Sequence, residues 1–326
     1  MTPFEILRLN LLSPMVLAFG LGIAAALVKS DLKMPDALYT GLSTYLLFAI
    51  GLKGGFDLAQ SPLGGFLLPA LAAAFIGALI PVMGYLLLRR VGGFSPEDSA
   101  AIGLHYGAVS AVTLSAGIAF LGEVGVTFEG YMPTMYVIME LPAVLVGLLI
   151  ASFRLDGIQQ PGKLLHSAVS GKSFILLLGG VLIGSLSGEL GQRQVGLFFI
   201  ELFPGLLTLF LLHMGIVVGA KLGQLRSVGP VLLGYALLMP AAHGVLGVWL
   251  GGLAGLSVGG AFLLGVLAAS ASFITGPAVV QANIPDANPG YYLTAALVIT
   301  FPFNLAVGIP LFYEAALLFA TGGPLG

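Results

Sequence analysis

The stretch "AASASFITGPAVV", Ala268 to Val280, lies in one of the most hydrophobic regions of the chain, yet it carries Ser270, Ser272 and Thr275, then Gly276 and Pro277. A helix in lipid has no use for that combination. Gly-Pro interrupts the backbone ladder, and freed N–H and C=O groups find no water in hydrocarbon. Such a segment makes sense only where protein or a polar cavity covers the break.

The rest of the chain agrees with a membrane setting. Of 326 residues, 58% are hydrophobic and 8% charged, with a mean hydropathy of +1.06. Soluble domains carry about 25% charged residues. The formal net charge of −2 gives no reason to expect nucleic acid, and the absence of cysteine excludes disulfides and thiolate metal sites. The start, "MTPFEILRLN", has no basic segment leading to a small-residue cleavage site, so the first apolar run reads as a retained helix.

A spanning helix needs roughly 20 apolar residues. Cutting at charged and turn-rich points predicts an all-α polytopic membrane protein with ten spans: 11–28, 37–57, 66–88, 98–121, 131–152, 173–190, 197–220, 228–250, 257–283 and 290–320. Nine of the 12 Lys and Arg residues fall in the connections after spans 1, 3, 5 and 7. The positive-inside rule puts those connections in the cytoplasm and both termini outside. The expected setting is the inner membrane of a bacterium. The segment Arg154–Lys172 is the only polar connector of any length. It divides the chain into residues 1–155, a cytoplasmic connector 156–172, and residues 173–326.

The two halves resemble each other. "LLFAIGLKGGFDL" (46–58) lies over "FLLHMGIVVGAKL" (210–222), "GAVSAVT" (107–113) over "ASASFIT" (269–275), and "GYMPTMYVIMELP" (130–142) over "GYYLTAALVITFP" (290–302), at offsets between 160 and 164. Five spans per half is an odd number, so the second copy enters from the opposite side. That is the inverted-topology repeat of many secondary transporters, with spans 4 and 9 as the paired interrupted helices.

A helix start exposed at mid-membrane suits an anion, and exposed carbonyls suit a cation. Ser110, Thr113, Ser115, Ser270, Ser272 and Thr275 are the hydroxyls expected to line a shared cavity. The competing reading is that they bond back to their own turn or join helices. Glu140, deep in span 5 before Pro142, is a candidate Na⁺ ligand or proton carrier, since an intramembrane acid is unfavourable unless paired. A hydrogen-bonded structural glutamate is the alternative. Thr300 occupies the matching position in the second half. Asn304, one turn on, offers a neutral oxygen for a hard cation or an interhelical bond. His105, His213 and His243 share no metal-ligand spacing and read as hydrogen-bonded structural groups. Lys53 reads as a snorkelling residue. "GKS" at 171–173 lacks the upstream glycine of a phosphate loop, which is His166 here. No H-E-x-x-H or G-x-S-x-G occurs, and no enzymatic activity or organic cofactor is expected.

These pieces resemble the sodium-dependent bicarbonate transporter family known from cyanobacteria. The likeness is carried by "GLKGGFDLA" (51–59), "GAVSAVTLSAG" (107–117), "MELPA" (139–143), "AHG" (242–244), "AASASFITGPAVVQANIPDANP" (268–289) and "GIPLF" (308–312). The resemblance implies Na⁺-coupled uptake of bicarbonate by a homotrimer, with gate and core domains and elevator-like movement. Residue by residue, it implies an anion near Ser110, Ala111, Thr113, Ser270, Ser272, Thr275 and Gly276. It matches the family's span-5 aspartate with Glu140, and Na⁺ is expected at Glu140 and Asn304. The chain departs from the family at Phe273, where the cyanobacterial members have an acid. The central connector is also much shorter, so the resemblance does not extend to control by a PII-like partner. Two alternatives remain at the sequence level: a proton-coupled carrier using Glu140, and a passive channel or regulatory membrane partner.

Overall fold

The computed structural model describes residues 2–60, 65–154, 166, 169–273 and 275–320. Helix makes up 86% of the described residues, and no strand occurs among them. Each predicted span falls on helix. The helices are α1 Pro3–Leu11, α2 Pro14–Leu27, α3 Asp36–Gln60, α4 Leu67–Arg90, α5 Pro96–Gly107, α6 Ala111–Val124 and α7 Met132–Arg154. They continue as α8 Lys172–Gly196, α9 Phe203–Lys221, α10 Leu225–Leu253, α11 Val258–Ala269, α12 Thr275–Asn283 and the last span, α13, Pro289–Ala320.

By length and apolarity, six helices among the described residues can cross a membrane, or seven if the bent pair α1–α2 counts as one. This establishes a multi-pass membrane protein. Helix α3 is not among the six; it carries Thr40, Ser43, Thr44, Lys53 and Asp57.

Local sequence sets the boundaries. Ser13 caps α2 by accepting the Val16 N–H at 3.4 Å, and Pro14 at the first helical position bends the chain 57° from α1. Ser95 caps α5 by accepting the Asp98 N–H at 3.0 Å, with Pro96 first and Glu97 and Asp98 in the first turn. The run from Lys172 is interrupted at Gly188 (φ 52°, ψ −143°) and by the π-helical turn Leu197–Glu201. Two more π-helical stretches, Thr294–Thr300 and Asn304–Gly308, flank Pro302 in α13. Asn10 of α1 satisfies a carbonyl there, donating from Nδ2 to Leu305 O at 2.6 Å.

Helices α4, α5 and α7 pack on one another, as do α10, α11 and α13; α2 lies along α9, and α3 along α8. The last two contacts need glycine. A Cβ on Gly51 or Gly55 would lie 2.5 or 2.3 Å from α8 carbonyl oxygens, and one on Gly215 would lie 2.1 Å from Phe19 O in α2. The entry of each first half-helix is also tied to a distant loop. Glu129 accepts the Ser257 N–H at 2.6 Å and its hydroxyl at 3.1 Å, at the start of α11. Asp98, in the first turn of α5, accepts the Asn288 N–H at 2.7 Å.

Candidate functional site

Both suspect segments are interrupted. Helix α5 ends at Gly107; Ala108 (φ −71°, ψ 134°) and Ser110 (φ −109°, ψ 115°) are extended, and α6 begins at Ala111. Helix α11 ends at Ala269, Ser270 is extended (φ −77°, ψ 159°), and α12 begins at Thr275. The two breaks meet. The Ser110 N–H donates to Ser270 Oγ at 2.9 Å across 160 residues of sequence, and both residues are buried.

Most freed backbone groups at the breaks have side-chain partners. Ser110 Oγ accepts the Thr113 N–H at 3.3 Å, the N-cap bond of α6. Ser270 Oγ donates to Leu267 O at 2.8 Å. Ser272 Oγ accepts the Gly276 N–H at 3.0 Å, and the Ser272 N–H donates to His105 O at 2.7 Å. Tyr136 donates to Val109 O at 3.1 Å, and Asn304 Nδ2 to Ala269 O at 2.8 Å. Sequence reading did not single out Tyr136; its place one turn before Glu140 in α7 was the available signal.

The predicted residues divide into groups. Ser110, Ala111, Thr113 and Ser270 line the contact between the breaks, and Ser272 with Gly276 forms the turn into α12. Thr275 is only half-buried and donates to Ser173 Oγ, in the first turn of α8, at 2.5 Å. Ser115 bonds back to Ala111 O at 2.7 Å, the local bond weighed against a site role. Thr300 donates to Ala236 O at 2.7 Å, the carbonyl that Pro240 leaves without an in-helix donor, and lies 2.6 Å from the Tyr106 hydroxyl. Phe273 is buried, with its ring centroid 4.9 Å from that of Phe301, so aromatic packing occupies the place where the resemblance led to the expectation of an acid.

The buried side-chain atoms left without a partner at the site, among the described residues, are acceptors. Glu140 is 2% exposed, and neither carboxyl oxygen has a hydrogen bond among the described residues, although the Thr275 and Tyr136 hydroxyls lie close by. Asn304 Oδ1 and His105 Nε2 are likewise buried and unpartnered. Buried acceptors without donors call for a cation or a proton-bearing group.

The other expectations fare unevenly. His105 has one hydrogen bond, from Nδ1 to Ala101 O at 2.8 Å. His243 has none on either ring nitrogen, and His213 Nδ1 is also unpartnered, so the hydrogen-bonded reading fails for His243. Lys53 pairs with Asp57 at 3.0 Å and lies 5.9 Å from the Phe128 ring centroid rather than reaching freely for solvent.

Two cavities flank the breaks. One, of about 550 Å³, is lined by Lys53 and by the Ser115, Ile118, Ala119, Gly122 and Glu123 face of α6. The other, of about 340 Å³, is lined by Lys172, Ser173 and the Thr275, Ala278, Val279, Ala282 and Asn283 face of α12. The two half-helices present the same i, i+3, i+4, i+7, i+8 spacing to their cavities.

Residues 14–317 match the description of the Na⁺-dependent bicarbonate transporter superfamily. The chain belongs to that superfamily. Membership implies Na⁺-dependent bicarbonate transport in general terms, a transporter's role and not an enzyme's. No curated protein matches the chain. Within the Na⁺-dependent bicarbonate transporter superfamily, the broken α5–α6 and α11–α12 pairs give this member its polar centre.

Proposed function

We propose that this protein is a Na⁺-coupled symporter that brings bicarbonate, or a closely related small anion, into a bacterial cell by elevator-like movement of a core past a gate. The observation that carries this reading is the bond between breaks, Ser110 N–H to Ser270 Oγ at 2.9 Å. It puts two interrupted helices, from the two halves of the chain, at one buried polar point. The anion lies near Ser110, Ala111, Thr113, Ser270, Ser272, Thr275 and Gly276, displacing part of the bonding that these groups now give one another. Na⁺ takes the oxygens of Glu140 and Asn304, with Thr300 holding the adjoining wall.

The architecture in this reading is two inverted repeats of five spans, ten crossings in all, with both termini outside. The 53-residue run Lys172–Gln224 supports two crossings there. A straight helix of that length would reach about 80 Å, against a hydrocarbon core of about 30 Å. The packing supports exchange between halves: α2 with α9 and α3 with α8 form the gate, and the two three-helix groups form the core. On this topology the Lys53 cavity faces out and the Lys172 cavity faces the cytoplasm. Homotrimeric assembly rests on the resemblance alone. Most of the connector, where a PII-like regulator would act, lies outside the described residues, and no such control is assigned.

The test is bicarbonate uptake into proteoliposomes under an imposed Na⁺ gradient. Uptake that follows Na⁺ supports the reading; uptake indifferent to Na⁺ for bicarbonate and other small anions refutes it. The unpartnered Glu140 carboxyl favours one second reading, a proton-coupled carrier, in which uptake follows a pH gradient and stops in Glu140→Gln. Saturable counterflow of labelled bicarbonate separates either carrier from a passive channel.

A further inference from the structure

His105 lies in the last turn of α5 and is 0% exposed. Its Nδ1 is 2.8 Å from Ala101 O. A carbonyl oxygen only accepts, so Nδ1 carries the hydrogen. The ring is buried, and neither nitrogen is hydrogen-bonded or ion-paired to a carboxylate among the described residues, so nothing there would stabilise a second ring proton. Nε2 is then a bare lone pair. It has no partner among the described residues, and a buried acceptor without a donor is unfavourable.

That lone pair is at the second break. The ring stacks on Tyr292, with centroids 4.4 Å apart and planes at 29°. The ring also abuts Gly276, where a Cβ would lie 3.1 Å from Nε2. The His105 carbonyl accepts the Ser272 N–H at 2.7 Å. Ser272 and Gly276 therefore both meet this residue, one at its carbonyl and the other at its ring.

Hydroxyls and N–H groups donate to any small oxyanion, and they do not separate bicarbonate from nitrate, which is also planar and singly charged. Only bicarbonate has an O–H of its own to donate. We infer that His105 Nε2 accepts the hydroxyl hydrogen of the substrate and makes the carrier selective for a protonated planar oxyanion. The inference rests on the anion-transport reading above and deepens it: with Glu140 and Asn304 given to Na⁺, the substrate class is set by the acceptor that remains, His105 Nε2.

The experiment measures labelled bicarbonate uptake and its inhibition by nitrate in proteoliposomes of wild type, His105→Phe and His105→Gln. Phenylalanine keeps a ring to stack on Tyr292 but cannot accept, whereas the glutamine amide oxygen can. Bicarbonate half-saturation is expected to rise about tenfold or more in His105→Phe, the scale of one hydrogen bond involving a charged group. Nitrate inhibition should stay near its wild-type value, and His105→Gln should recover much of the preference. A bicarbonate-to-nitrate ratio unchanged in the Phe variant overturns the assignment. Thermal unfolding of purified wild type at constant ionic strength gives a check independent of the variants. Bicarbonate should raise the transition more than nitrate does at the same concentration; equal shifts overturn the inference. Wild type that takes up no bicarbonate under any ion gradient defeats the transport reading itself. Wild type that takes it up while His105→Phe keeps the preference defeats only the role of His105.

Discussion

Replacing Ser270 with alanine tests the meeting of the two breaks most directly. The hydroxyl makes two buried bonds, accepting from the Ser110 N–H at 2.9 Å and donating to Leu267 O at 2.8 Å. Alanine fits the same space but leaves a buried N–H and a buried carbonyl without that partner. Leaving one such group unsatisfied costs about 1–3 kcal/mol. The Leu267 carbonyl still accepts the Ser270 N–H at 3.1 Å, so most of the loss comes from Ser110. The expected destabilisation is thus about 1–3 kcal/mol. If the bond also shapes the anion site, half-saturation for bicarbonate should rise by a factor of about 5–150, the same energy expressed as an equilibrium constant. Ser115→Ala is the internal control. Ser115 is also a fully buried serine, but its hydroxyl only bonds back to Ala111 O within its own helix. Losing it should change stability by about 0.5 kcal/mol or less, since such back-bonds contribute little to a helix. Thermal unfolding in detergent and bicarbonate uptake in proteoliposomes, run on both variants, read the contrast. If Ser270→Ala and Ser115→Ala behave alike, the bond between breaks does not organise the site.

Three further outcomes are expected. Ser272→Ala removes the hydroxyl that accepts the Gly276 N–H at the start of α12; it should cost about 1 kcal/mol and weaken uptake, with Thr275→Ala milder because its hydroxyl turns to Ser173. Uptake titrations that place both at wild-type activity would remove them from the site. Glu140→Gln should raise the Na⁺ concentration for half-maximal uptake while leaving membrane insertion and thermal stability intact, since the isosteric amide keeps its place beside the Thr275 and Tyr136 hydroxyls and removes only the buried charge; unchanged Na⁺ dependence would exclude Glu140 as a ligand. Gly180→Val adds side-chain atoms where even a Cβ would lie 2.9 Å from Gly51 Cα. It should destabilise the α3–α8 contact by about 1–3 kcal/mol, visible as a lower unfolding temperature and reduced yield of folded protein.

Much of this architecture was legible without coordinates. Composition alone required a membrane, and apolar run lengths placed helix at every predicted span. Gly276–Pro277 announced an interruption in a segment where backbone cannot be left bare, and the match of 107–113 to 269–275 pointed to the other; that Ser110 caps the start of α6 came from the structure. Both are local effects, set by a residue and its near neighbours. The partners of the breaks were a different matter. Nothing in the spacing of Tyr136 showed that its hydroxyl would serve Val109 O, and Thr300 looked like a site residue until Pro240 supplied a carbonyl for it. His105 read as an ordinary satisfied histidine. Only its place beside Gly276 revealed an acceptor with nothing to accept. The reason is distance along the chain. Helix breaks follow from backbone geometry and appear in the order of the residues. Hydrogen-bond partners 27 to 160 residues apart are chosen by packing, where glycine-sized gaps decide which helices approach and which polar groups are sealed in without water. The sequence by itself determined that there would be two polar interruptions in lipid, and the tertiary structure decided that they face each other and which acceptors among them are left free.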